Sequence, residues 1–288
     1  MKYLSLLLLL SIALLPSGCT DSEWPANHGG IVSQLYKGNG VEQPLVVGLG
    51  GSEGGNAWAS DYWRETREQF LSEGYAFLAL GYFGLPGTPE QLDRISVNAV
   101  YEEILKAADD PAIDRDRIAI IGGSKGAELA LLLASNFPEI KCVVGIVPAM
   151  AVFPALTLMA STSSWSINDE EVPYVPMPWS AVPAAIGGNL RGAFELMLED
   201  TEAVREARIQ IERINGPILL VSATDDEMWP SREMSEAMMG LLSQSNFTHP
   251  YKHIAIEGNH AAPLAHFDSV FTFLDTNFKS KVGFNVKP

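Results

Sequence analysis

Three short stretches carry residues whose types and spacing suit nucleophilic chemistry: Gly122-Gly123-Ser124-Lys125-Gly126, the adjacent pair Asp225-Asp226, and the turn Glu257-Gly258-Asn259-His260. A serine hydroxyl is a weak nucleophile until a base removes its proton, and a histidine base needs a carboxylate to fix its tautomer. Ser124 stands in G-x-S-x-G between the apolar run Ile118-Ala119-Ile120-Ile121 and an Ala/Leu-rich stretch from Ala127 to Ala134. That order predicts a buried strand, a sharp turn and a buried helix. The turn lifts the hydroxyl above the sheet edge, and the helix N-terminus offers N–H groups to a developing oxyanion. A structural serine in a tight turn is the competing reading.

The base is chosen from five histidines. His28 falls in a linker, His249 in a turn, His253 inside a strand and His266 on the terminal helix. His260 alone stands in a post-strand turn, with His266 as runner-up. The acid is Asp225 or Asp226, which the residues by themselves do not separate. A glycine-rich loop, Gly50-Gly51-Ser52-Glu53-Gly54-Gly55-Asn56, lacks both the Walker lysine and G-x-G-x-x-G, so a phosphate cradle is disfavoured. Its backbone can instead approach an oxyanion. Ser52 or Gly51 is the expected second donor beside the N–H of Lys125, and a purely structural turn is the alternative.

Several strands and helices must position these groups. Pro44 to Leu49 reads as an inner strand, followed by a helix from about Ala57 to Glu73. Gly74 to Leu80 is a strand. Thr88-Pro89-Glu90-Gln91 has the signature of a helix start, carrying on through Ile95 to Leu105. The nucleophile strand and helix follow, then a strand holding Cys142. Such alternation predicts a mostly parallel sheet with helices on both faces, and ligands at the carboxyl ends of its strands. Residues 148–200 interrupt the pattern with prolines, Trp165, Trp179, Phe153, Phe194 and several methionines. They are expected to form a small cap over Ser124 whose apolar residues line an acyl pocket, with ordinary packing of an irregular excursion as the alternative. Afterwards come a charged surface helix from Thr201 to Ile214, a strand from Gly216 to Ala223, the Asp225-Asp226 loop, a helix from Ser231 to Leu242, a strand from Tyr251 to Ile256, and a closing helix from Ala262 to Phe278.

The chain is 288 residues long and 47% apolar, which excludes global disorder and suits one α/β domain. Its formal charge of −16 excludes nucleic acid as a natural partner, since phosphate binding needs a basic surface. Residues 1–18 read as an export signal, with Lys2 ahead of an apolar core from Leu4 to Leu15. With Pro16-Ser17-Gly18-Cys19 it resembles a bacterial lipoprotein signal, in which Cys19 becomes the lipidated first residue. Pro16 stands where that pattern has leucine, and ordinary secretion or an uncleaved anchor are the alternatives. The expected location is the bacterial cell envelope. Residues 19–43 are expected to be a linker and a peripheral strand, and 44–288 the main domain. With Cys19 lipidated, Cys142 has no partner and is expected to be a small core residue.

The segments Gly123 to Leu131, Gly50 to Gly55 and Asp225-Asp226-Glu227-Met228-Trp229 together resemble the acyl-CoA thioesterase and bile acid-CoA:amino acid N-acyltransferase family, in its C-terminal catalytic domain, and more loosely the dienelactone hydrolases. The resemblance spans about residues 44 to 278. It implies an α/β-hydrolase fold with the chain order nucleophile, acid, histidine, and therefore a Ser124–Asp226–His260 triad. Related hydrolases carry a hydrophobic residue and then proline after the acid, which matches Trp229-Pro230 counted from Asp226. The acyltransferase branch has cysteine as nucleophile, so Ser124 points to hydrolysis. Export removes the chain from cytoplasmic coenzyme A esters, and the family's N-terminal β-sandwich has no counterpart in residues 20–43. The expectation is an exported serine hydrolase acting on a small-molecule acyl ester or thioester through an acyl-enzyme, with no metal or organic cofactor implied. A peptidase or amidase of the same fold, and a non-catalytic surface binding protein, are the rivals.

Overall fold

The computed structural model describes residues 23–279. The readings placed on the export signal and on Cys19 lie outside the described residues. Among the described residues there are ten strands: β1 Val32–Tyr36, β2 Gln43–Leu49, β3 Ala76–Gly81, β4 Ile95–Ser96, β5 Ile113–Gly123, β6 Ile140–Ile146, β7 Trp165–Ile167, β8 Glu170–Glu171, β9 Ile218–Ala223 and β10 Tyr251–Ile256. Seven of them make one sheet in the order β1-β3-β2-β5-β6-β9-β10. Within it β1 runs antiparallel to β3, and every other pairing is parallel. The helices are α1 Arg64–Ser72, α2 Val97–Ala108, α3 Lys125–Asn136, α4 Val182–Ile186, α5 Leu190–Leu198, α6 Thr201–Ala207, α7 Ser231–Gln244 and α8 Phe267–Leu274.

The period of two along each inner strand decides which face a residue serves. Leu45, Val47, Ile118, Ile120, Val143 and Leu220 bury against α2, α3 and α7. Their neighbours Val46, Ala119, Ile121, Val144 and Val221 join Phe70 of α1 and Phe271 and Leu274 of α8 on the opposite face. Both faces are thus covered, and so the central strands read as continuous apolar runs. Cys142 is buried in that second layer.

Four sequence expectations change. The closing helix expected from Ala262 to Phe278 is a 3-10 turn at Ala262–Ala265, then α8, then a π-helical turn at Asp275–Lys279, broken at His266. The helix expected from Thr88 starts instead at Val97, where the Ser96 hydroxyl accepts from the Ala99 N–H at 3.2 Å. Thr88 spends its hydroxyl on the Leu85 amide and carbonyl. Ile95 is drawn into a small second sheet by pairing with Trp165. The helix expected from Thr201 to Ile214 stops at Ala207, because Arg208 bridges to Ala151 while Ile209, Ile211 and Ile214 bury. Residues 57–63 form two short 3-10 turns before α1 rather than one continuous helix.

Candidate active site

Ser124 sits between the last residue of β5 and the first of α3, with φ 54° and ψ −120°. For a residue with a side chain this backbone costs on the order of 1–3 kcal/mol, so the surroundings must hold it. They do so through backbone: the Ser124 N–H donates to the Ile146 carbonyl at 2.9 Å, and its own carbonyl accepts from Ala127 at 2.9 Å, starting α3. Two glycines make the turn sterically feasible. A Cβ on Gly122 would lie 2.0 Å from the Gly126 carbonyl oxygen, and one on Gly126 would lie 2.2 Å from that of Gly50. The G-x-S-x-G spacing is therefore the imprint of β5, α3 and the β2 loop meeting at van der Waals limits.

The loop after β9 carries the acids. Asp226 is fully buried and its Oδ1 lies 2.7 Å from His260 Nδ1, in the turn after β10. The same oxygen accepts from the Met228 and Trp229 amides at 3.0 and 3.2 Å. Burial alone would raise this carboxyl, but the hydrogen bond and charge of His260, with the Ser231 hydroxyl and Trp229 amide, hold it below the ordinary carboxylate range. Asp225 turns outward, accepts from the Thr224 hydroxyl at 2.9 Å, and ties the two loops through its amide to the Gly258 carbonyl. Trp229 donates from Nε1 to the Val147 carbonyl at 3.1 Å and packs edge-on against the His260 ring. The Glu227 carboxylate accepts from the His260 amide at 2.9 Å. Elsewhere, His253 pairs with the Ser222 hydroxyl and burial pushes its pKa down. His28 faces Asp169, His249 packs on Phe247, and His266 is exposed at the start of α8.

Ser124 and His260 open into one cavity of about 530 Å³. Gly51 and Ser52 line it beside Ser124, and the first-turn position of Lys125 in α3 leaves its N–H without an intrahelical acceptor. Gly51 and Ser52, the expected second donors, thus share a wall with the hydroxyl, and the Lys125 amide directly follows Ser124 in the chain. The apolar walls come from Trp58, Tyr62, Trp63, Ile146, Met228 and Leu264. No lining residue belongs to 148–200, so the expectation that this segment lines the pocket is corrected. Its apolar residues satisfy one another instead: Phe153, Val175, Ala193 and Met197 cluster with Trp229 and Met234. The segment buttresses the acid loop, with Arg191 of α5 donating to the Asp226 carbonyl at 3.1 Å and to Glu233 at 2.7 Å.

Sequence reasoning missed the Trp58–Tyr62–Trp63 wall, although three aromatics directly after the glycine loop were a usable signal. It also missed the fate of the Lys125 side chain. Lys125 is buried and its ammonium pairs with Glu128 at 2.7 Å, one helical turn on in α3. Glu128 also accepts from Trp165 Nε1 at 2.7 Å and from the Phe153 amide at 3.3 Å. Burial pushes the lysine pKa down and the glutamate pKa up, and each charge opposes the shift of the other. Among the described residues, Glu53 is the one acid in the cavity lining, which holds no lysine or arginine. Among the described residues, no cluster of three His, Cys, Asp or Glu side chains could hold a metal ion.

Over residues 102–261 the chain matches the family described as BAAT / Acyl-CoA thioester hydrolase C terminal. It is 26% identical over 209 residues to acyl-coenzyme A thioesterase 6 of Mus musculus, covering 72% of this chain and 46% of that protein. It is 24% identical over 172 residues to acyl-coenzyme A amino acid N-acyltransferase 1 of the same species, covering 59% and 38%. The chain therefore spans less than half the length of these relatives. In three dimensions it is similar to the uncomplexed acylaminoacyl peptidase of Pyrococcus horikoshii, with a TM-score of 0.62 at 16% identity, covering 89% of this chain and 41% of that one. The puromycin-hydrolyzing peptidase of Mycobacterium tuberculosis gives 0.58 at 18% identity, covering 86% and 38%. Likeness at such identities speaks to architecture, and the architecture is the α/β-hydrolase fold.

Proposed function

The chain belongs to the BAAT / acyl-CoA thioester hydrolase C-terminal family, and from that membership we propose that it is a serine hydrolase that cleaves acyl esters or thioesters. The observation that carries the reading is the Asp226–His260 hydrogen bond at 2.7 Å on the wall of the cavity that holds Ser124. Asp226 fixes the tautomer with the proton on His260 Nδ1, leaving Nε2 free as the base. That nitrogen takes the Ser124 proton as the hydroxyl adds to the acyl carbonyl. The backbone N–H groups of Lys125 and of Ser52 or Gly51 receive the oxyanion. Protonated His260 then gives its proton to the leaving alcohol or thiol, and water, activated by the same nitrogen, releases the acid. An apolar cavity of about 530 Å³ suits a short to medium acyl chain.

A second reading, an amidase or peptidase acting on an amino-terminated substrate, is favoured by one feature, the Glu53 carboxylate in the lining. Export and lipidation at Cys19 belong to the same proposal. Their support is the apolar core from Leu4 to Leu15 followed by Ser17-Gly18-Cys19. The deciding experiment treats purified protein with a fluorophosphonate and assays p-nitrophenyl esters. Ser124 should be labelled, and Ser124→Ala should keep its fold while losing kcat by about 10⁶-fold. Turnover in that variant close to wild type would remove the hydrolase reading.

A further inference from the structure

The most exposed large apolar side chain among the described residues, Leu158, lies away from the cavity, on a loop of the 148–200 excursion with two further exposed apolar neighbours. Leu158 is 99% exposed, Met159 72% and Leu156 45%. They stand in a stretch from Val147 to Ile167 that holds no Asp, Glu, Lys, Arg or His, in a chain of formal charge −16. The loop is held in place. The Leu156 N–H donates to the Leu92 carbonyl at 2.9 Å and that of Ala155 to Thr162 at 2.8 Å. The Thr162 hydroxyl donates to Asp93 at 2.7 Å, and Asp93 is clasped by Arg94 at 2.9 Å. The same Arg94, almost fully buried, donates to the Glu23 carbonyl at 3.0 Å and lies over the Trp24 ring at 5.4 Å. The first described residues are thus pinned beside the apolar loop through Asp93 and Arg94. Cys19 stands four residues before Glu23, a reach of at most about 14 Å.

Topology adds a direction. Leu92 and Arg94 follow the carboxyl end of β3, the loop follows that of β6, and Ser124 follows that of β5. All three lie at one edge of a parallel sheet. We propose that the Leu156–Leu158–Met159 loop is a lipid-contact surface that seats this edge of the sheet against the bilayer holding the N-terminal segment. This rests on the reading that the segment before Glu23 keeps the chain at a membrane. Two leucines and a methionine gain by leaving water. The absence of charge spares the desolvation that would oppose insertion. The Leu156 amide is hydrogen-bonded to Leu92 and the Ala160 amide to the Thr157 carbonyl, so part of the loop's backbone is already paired, which lowers the cost of an interfacial position.

The test uses the full chain as expressed in a bacterium, reconstituted into phosphatidylcholine vesicles, with one fluorophore at Leu158→Cys. A control fluorophore sits at Asp109→Cys, which precedes the amino end of β5 and is exposed. Cys142 is buried and does not compete for the label; in samples that incorporate no palmitate, Cys19→Ser removes the one other native thiol. Doxyl-labelled lipid should quench the label at 158 several-fold more than the label at 109. Adding Leu156→Ser and Met159→Ser should bring the two together. Equal quenching at both positions in vesicle-bound protein overturns the proposal, since the domain is then only tethered. Shielding of the 158 label that follows protein concentration and not lipid overturns it too, in favour of a second copy of the chain. Palmitate incorporation at Cys19, measured on the same samples, separates the two readings. Labelled protein with equal quenching keeps the anchor and loses the loop. Unlabelled protein with differential quenching keeps the loop and loses the anchor.

Discussion

Residues 57–63 and residues 148–200 are both rich in aromatic and aliphatic side chains, and both follow the carboxyl end of a parallel strand. Their roles diverge. Trp58, Tyr62 and Trp63 line the cavity at Ser124, whereas the longer segment contributes nothing to that lining. The difference lies in what each segment has available to pack against. Trp58 anchors on Phe77 and Phe267 below it, leaving the Trp63 and Tyr62 rings to stand as a wall. The 148–200 segment is long enough to close its own core, with Phe153 and Phe194 meeting at 4.8 Å and both reaching Trp229. Apolar composition near an active site therefore does not say whether the side chains will face a ligand or one another.

If the long segment acts by supporting the loop of the proposed acid, disturbing that loop should be the most damaging change outside the proposed nucleophile Ser124. Asp226→Asn should lower kcat by about 10⁴-fold with KM little changed, because His260 then loses the tautomer that frees Nε2. Asp225→Asn, outward-facing, should fall far short of that in a steady-state ester assay. A pH signature accompanies the first variant. Asp226 is depressed below its ordinary value of 3.8, so it stabilises the folded state above that value and loses this contribution as pH falls through its folded pKa. Acid unfolding followed by circular dichroism should show a shallower acid limb in Asp226→Asn than in wild type.

The segment's other attachment is the Lys125–Glu128 pair, where Phe153 and Trp165 dock. Lys125→Met alone leaves Glu128 buried without its cation and should cost about 3–5 kcal/mol in urea unfolding. Lys125→Met with Glu128→Leu should recover much of that loss. Equal losses in the single and double variants would place the stabilising contribution in packing and not in charge.

The strands, the elbow and the β/α alternation were legible in the sequence because their signals are local: period-two apolar runs, and two glycines that a Cβ would drive into neighbouring backbone. The proposed acid was legible only as a pair, since Asp226 is fully buried and its neighbour Asp225 is exposed, and loop curvature decides which turns inward. The Thr88 helix start misled because Ile95 is taken by Trp165, seventy residues away, a partner no local capping rule can see. The salt bridge from Lys125 to Glu128 spans one helical turn and was readable in principle. Its enclosure by Trp165 and Phe153 depends on the path of the excursion.

The wall can be separated from the excursion by two exposed aromatics. Tyr62 is 76% exposed and lines the cavity, whereas Trp179 is 89% exposed and does not. Tyr62→Ala should raise KM for a hexanoyl ester several-fold with kcat nearly unchanged, the pattern of lost uniform binding. Trp179→Ala should leave both constants and the unfolding midpoint where they are. A KM effect at Trp179 would restore the excursion to the binding site.

The smallest expected effect is at Glu53, and it separates the two substrate readings. Among the described residues its carboxylate carries the only acidic charge in the lining, close enough to Gly51 that a Cβ there would meet Oε2 at 3.0 Å and the Ser124 Cβ at 3.2 Å. No lysine or arginine in the lining balances it, and the one lysine of the elbow is spent on Glu128. A negative charge there opposes both an anionic leaving group and the oxyanion, while it would attract an ammonium on the substrate. In an ester or thioester hydrolase, Glu53→Gln should therefore raise kcat/KM for an acyl-CoA by a few-fold at low ionic strength. The neutral ester of the same acyl chain should change less. Salt should shrink the difference, because the charge faces water and is screened within about 10 Å at 0.1 M. In an amidase built for amino-terminated substrates, the same substitution should lower kcat/KM for aminoacyl amides by raising KM. A rise on acyl-CoA together with no loss on aminoacyl amides would retire the amidase reading, and the opposite pair of results would retire the thioester one.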